Sequence, residues 1–133
     1  MNLVSQIIAD GARRITLEDL EVLMVVMPKL KDDLETEAVD EDGLIDQFRF
    51  LRHVAEDVSA GFRKELSLVA VAEVIFALFY LARENDLIPD VLKHEGLVDD
   101  KAVLTSVLKR NENALRELAI SRGHDWEMLV SVI

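Results

Sequence analysis

The densest set of residues able to do chemistry in this 133-residue chain is Asp86, Asp90, Asp99 and Asp100, with His94 between them. Carboxylates brought together from two short segments are what a hard divalent cation such as Mg²⁺ or Ca²⁺ takes, through oxygen ligands alone. A second candidate is Glu73, which stands inside the apolar run 66–82. Desolvation would raise the pKa of a carboxyl buried there, the usual route to a general acid or base. The competing expectation is an ion pair with an arginine such as Arg49, Arg52 or Arg63, because carboxylates are almost never buried unpaired.

Other chemistries find less material. Asp40-Glu41-Asp42-Gly43-Leu44-Ile45-Asp46 resembles the middle of a calcium-binding loop, with Gly43 at the sharp turn. Ala38 then occupies the first ligand position and Arg49 the closing one, so the loop cannot wrap the ion. His53 lies four residues before Asp57, a helical spacing that suits a structural hydrogen bond. There is no cysteine, no Glu-x-x-His pair, no phosphate loop and no dinucleotide fingerprint. Three histidines and few loop serines leave a Ser-His-Asp arrangement without parts. No catalytic residue and no cofactor are expected.

The elements that must position these groups are helices. Half of the residues are hydrophobic, with five glycines and two prolines, a composition that favours an all-α globule. The expected architecture is one domain, 1–133, a compact bundle of five or six helices around a central buried helix at about 66–83. Apolar spacing predicts a short helix over 3–12, weakened by Gly11, and a helix capped by Thr16 that Pro28 ends or kinks. A third begins at Asp42 or Gly43 and carries Leu44, Phe48, Leu51, Ala55 and Val58 on one face. Ser59-Ala60-Gly61 marks a turn, after which Phe62 is expected to fold back into the core.

Beyond the central helix, Ile88 precedes a proline and avoids helical angles, which puts Pro89 and Asp90 in a first turn. Gly96 is placed to stop that short helix and Asp99 to cap the next, with Val98 and Val103 as its staple. On this reading Asp86, Pro89, Asp90, Gly96, Asp99 and Asp100 form a structural turn motif, and the aspartates need no metal. The last long helix is expected over 100–122, with Asn111 inside its apolar stripe, where a polar residue fixes register or partner choice. Gly123 stops it, and Asp125 caps an apolar turn over 126–133 that closes the core or meets another copy.

Asp86-Leu87-Ile88-Pro89-Asp90, then Gly96, Asp99-Asp100 and Leu104, resemble the core pattern of the YkvA-like family, a bacterial domain of unknown function. The resemblance covers about 66–118 and implies a helical fold with no assigned activity. Where that family commonly carries a Ser-Pro pair, this chain has Arg83-Glu84-Asn85, and Lys93-His94-Glu95 precede Gly96. Such polar flanks count against a membrane-associated role.

The charge narrows the partners. A formal net charge of −11 disfavours nucleic acid and anionic membrane surfaces. Twelve acids against four bases fall within 1–46, with seven acids in the eleven positions 32–42. No signal peptide is expected, and the longest apolar run is short for a membrane span and carries Glu73. The expectation is a cytoplasmic, non-enzymatic interaction or scaffold module that self-associates as a homodimer or binds a protein partner. A divalent-metal site or enzyme on Asp86, Asp90, Asp99 and Asp100, and a membrane-peripheral role for the apolar helix, are the alternatives.

Overall fold

The computed structural model describes residues 3–37, 43–82 and 100–131. Among the described residues there are seven helices and no strand. They are α1 (Leu3–Ala12), α2 (Leu17–Glu37), α3 (Leu44–Ser59), α4 (Leu68–Leu81), α5 (Asp100–Arg110), α6 (Glu112–Ser121) and the single turn α7 (Trp126–Leu129). The number exceeds the expected five or six because 100–122 is not one helix: it breaks at Asn111 into α5 and α6.

Helix α4 is the axis of the bundle. Ser67 caps it, its Oγ accepting from the Ala70 N–H at 3.0 Å. Every residue from Glu73 to Tyr80 is buried, and α1, α2, α3 and α5 all pack against this helix. A helix enclosed on all sides has no face to leave polar, which is why its sequence is apolar nearly all round.

The surrounding helices each contribute a stripe. At the start of α2 the Asp19 N–H donates to Thr16 Oγ1 at 3.3 Å and the Thr16 N–H to Asp19 Oδ2 at 2.7 Å. This is a reciprocal capping box with Asp in the usual Glu position. Pro28 does not end the helix, which runs on to Glu37 with the proline on its exposed side. An internal proline costs about 3 kcal/mol. Burying Leu30 and Leu34 beyond it returns about 2 kcal/mol each, so packing carries the helix across.

The end of α3 departs from expectation. Gly61, at φ 90°, closes the helix by donating to Val58 O, and the Phe62 N–H reaches Asp57 O at 2.8 Å. Phe62 does not fold back into the core but stays 66 % exposed. Gly61 and then Arg63, at φ 63°, both turn the chain in the left-handed region, and it re-enters the core at Leu66.

At the other end of the bundle Gln47 is fully buried, its Nε2 donating to Thr105 Oγ1 at 2.8 Å and to Leu129 O at 2.9 Å. One side chain thereby ties α3, α5 and α7. The turn α7, capped by Asp125, brings Trp126 and Leu129 into the core, so this segment closes the bundle.

Helix α1 touches α4 at Gly11, where a Cβ would overlap the ring of the fully buried Phe76. The glycine that weakens α1 in isolation is what lets the two helices approach. Gly11→Ala should therefore destabilise. Its gain of about 1 kcal/mol in helix propensity is outweighed by overpacking of about 1–3 kcal/mol. Chemical denaturation should give a net loss, and a stabilised variant would show that the α1–α4 contact is looser than described.

Candidate functional site

Glu73 is 2 % exposed and sits on α4 amid apolar neighbours. A carboxylate there must be met by donors or give up its charge. The donors come from the junction of α5 and α6. Arg110, the last residue of α5, reaches back with Nε to Glu73 Oε1 at 2.9 Å and Nη2 to Oε2 at 2.8 Å. This two-pronged geometry matches a planar guanidinium to a planar carboxylate. Asn111 adds a third bond, its Nδ2 donating to Glu73 Oε1 at 3.0 Å and also to Val107 O at 2.8 Å. Both amide hydrogens are thus used, one holding the carboxylate and one the preceding helical turn.

The hydrogen bond to Glu73 raises the Arg110 pKa above its ordinary value, against the opposing effect of burial. Glu73 serves as a structural partner of Arg110 and Asn111, with both its oxygens occupied. The arginine is not Arg49, Arg52 or Arg63, as the sequence suggested. Arg49 approaches Glu35 at 3.9 Å and Arg63 bonds Asp57, while the Arg52 guanidinium lies over the Phe48 ring. Asn111, expected to fix register or partner choice, makes its bonds within the bundle.

Beside this clamp lies a groove of about 560 Å³ between α1 and the N-terminal half of α4. Ala9, Ala12, Ile15 and Ala72 line it, with Leu68 and Val69 projecting as the first two residues of α4. Leu68 is 82 % exposed and Val69 64 %, a conspicuous placement for adjacent large apolar side chains. The charged lining consists of two internal pairs, Asp10 with Arg13 and Glu73 with Arg110.

The predicted His53–Asp57 pair is replaced by a different arrangement. Asp57 Oδ2 accepts from Arg63 Nε and from Arg122 Nη2, each at 3.0 Å, fastening the α3–α4 turn and the end of α6 to α3. Burial pushes the Asp57 carboxyl up, but the hydrogen bonds and charges of Arg122 and Arg63 hold it below its usual range. His53 approaches Glu56 at 3.8 Å, and its pKa is lowered by burial and by Arg122 and Arg52, against smaller opposing effects of Glu56 and Asp57. A histidine held neutral beside a carboxylate already committed to two arginines is no proton relay.

Of the predicted turn residues, Asp86, Pro89, Asp90, Gly96 and Asp99 lie outside the described residues, as does His94. Asp100 is the first residue of α5, where an acidic side chain favours the helix N-terminus. Among the described residues no three His, Asp or Glu side chains gather in a way that could hold a metal ion.

Two outcomes follow. Arg110→Met should cost about 3–5 kcal/mol, because it strands a buried carboxylate. The double variant Glu73→Leu with Arg110→Met should return to within about 1 kcal/mol of wild type, as read by denaturant titration. Separately, His53 binds its proton more readily in the unfolded chain, since its folded pKa lies below the ordinary 6.5. Its contribution to stability is present above that value and is lost as pH falls through the folded pKa. Between about pH 7 and pH 5, His53→Gln should lose less stability than wild type, and equal losses would contradict the assignment.

No family model, curated protein or solved structure matches the chain.

Proposed function

We propose that this chain is a non-enzymatic interaction module that works through the groove between α1 and α4. The observation that carries this reading is the pairing of an open apolar groove with a fully engaged carboxylate. Leu68 and Val69 stand exposed at the groove, while Glu73, the acid within it, accepts three hydrogen bonds from Arg110 and Asn111. The groove's other acid, Asp10, is paired with Arg13, so the lining offers apolar contact and no unpaired acid, which suits docking better than catalysis. A groove of this kind takes the apolar face of a protein segment.

The module belongs to the cytoplasm of a bacterium on this proposal. The YkvA-like turn pattern supports the bacterial source. Among the described residues no helix is long and apolar enough to cross a membrane, which agrees with a role away from the bilayer.

The test exploits the groove's position. A photoreactive amino acid placed at Leu68 in the expressing cell should yield a discrete crosslinked protein adduct. The same group at Met128, another well-exposed apolar residue (74 %) on α7, should not. Absence of any adduct from Leu68, or identical adducts from both positions, would overturn the reading.

A further inference from the structure

We propose that the cavity between α1 and α5 is a binding site for a phosphate group. This cavity is separate from the α1–α4 groove, and the inference does not depend on the interaction-module reading. Two observations lead to it: the make-up of the lining, and the hydrogen bonds that its side chains leave unmade.

The cavity measures about 460 Å³, within the range of small-ligand sites. Ala102, Thr105, Ser106 and Lys109 line it from one face of α5, at helical spacings of three, four and seven residues. Ser5 lines it from the first turn of α1. With Arg110 added, the wall draws two bases and no acid from a chain that holds 26 acids and 15 bases. Every other polar side chain in it is a hydroxyl.

A hydroxyl accepts as readily as it donates, but Thr105 is committed to donating. Gln47 is fully buried and gives its amide hydrogens to the Leu129 carbonyl and to Thr105 Oγ1. The carbonyl can only accept, which settles the end of the amide that carries the hydrogens. The Thr105 oxygen is therefore an acceptor towards Gln47, and its own proton must go elsewhere. Thr105 is 3 % exposed, and that proton meets no acceptor among the described residues. A buried donor without an acceptor costs stability. A ligand oxygen in the cavity supplies the acceptor.

The two cations are also left with donors to give. Arg110 spends Nε and Nη2 on Glu73, a fork that holds the guanidinium in place and leaves Nη1 unspent. Lys109 forms no ion pair among the described residues. Hydroxyl, ammonium and guanidinium donors around a space without a carboxylate suit a ligand that only accepts and is negatively charged. A phosphate group offers three strong acceptor oxygens and meets such donors from several directions at once. The first turn of α1 carries no acidic side chain to oppose it, and the positive end of a helix dipole favours an anion.

Inorganic phosphate titrated into the isotope-labelled chain, against sodium chloride at matched ionic strength, tests the inference. The amide resonances of Ser5, Thr105, Ser106 and Lys109 should shift saturably with phosphate and not with chloride. Lys109→Met, at an exposed position, removes one charge-assisted bond and should weaken binding about tenfold. Lys64→Met, which removes an equal charge at the exposed α3–α4 turn, should leave binding unchanged. Phenyl phosphate distinguishes the source of the group. Tighter binding than inorganic phosphate identifies a phosphate ester as the ligand, and equal or weaker binding identifies the free ion. Absence of any shift with phosphate, shifts that chloride reproduces, or binding indifferent to Lys109→Met would each overturn the inference.

Discussion

A carboxylate within an enclosed helix has to be met by a cation, and much of the bundle is arranged around that requirement at Glu73. Little water reaches a side chain that is 3 % exposed, and leaving it unpaired would cost several kcal/mol. Arg110 supplies the cation from the last position of α5 while its own side chain keeps 29 % exposure, so only one of the two charges is deeply desolvated. That asymmetry makes the pair tolerable. It also sets the register of α5 on α4, since the guanidinium fork can meet both oxygens in one alignment only.

The same interaction explains where α5 stops. Asn111 leaves helical geometry, at φ −116° and ψ 27°, while its amide spans Glu73 and the Val107 carbonyl. A side chain that bonds both the preceding turn and a neighbouring helix offers the backbone an alternative to continuing straight. The break redirects the chain into α6, whose end brings Arg122 to Asp57 on α3. Two ion pairs, one buried and one partly exposed, thus bracket the C-terminal helices against the central ones.

Close approach at Gly11 shapes the opposite side. Because α1 lies against Phe76 without an intervening Cβ, the alanines on either side of the contact leave a shallow depression instead of filled ridges. Leu68 and Val69 then stand beside it as the first turn of α4, held there by the Ser67 cap. Apolar surface left open next to a tight helix contact follows from small residues on both helices, and it gives the molecule a groove with two projecting apolar neighbours, Leu68 and Val69.

Much of the secondary structure could be read from residues a few positions apart. Thr16, Gly61, Gly123 and Asp125 act locally, and each caps or stops a helix where its type and neighbours indicate. The burial of α4 was legible too, because an apolar helix with no polar face has nowhere to lie but inside. The partner of Glu73 was not: Arg110 is 37 positions away, and several arginines satisfy the chemistry equally well until packing chooses one. Gly11 read as a weakness in α1, and only its contact with Phe76 shows it to be a fit. Phe62 read as core, yet the left-handed residues on either side of it, Gly61 and Arg63, turn it outward. Helix ends were settled by bonds spanning three to six residues, which a sequence displays directly. Ion-pair choice, helix approach and the open groove depend on which faces meet across the bundle, and that is decided by the tertiary packing of side chains far apart in the chain.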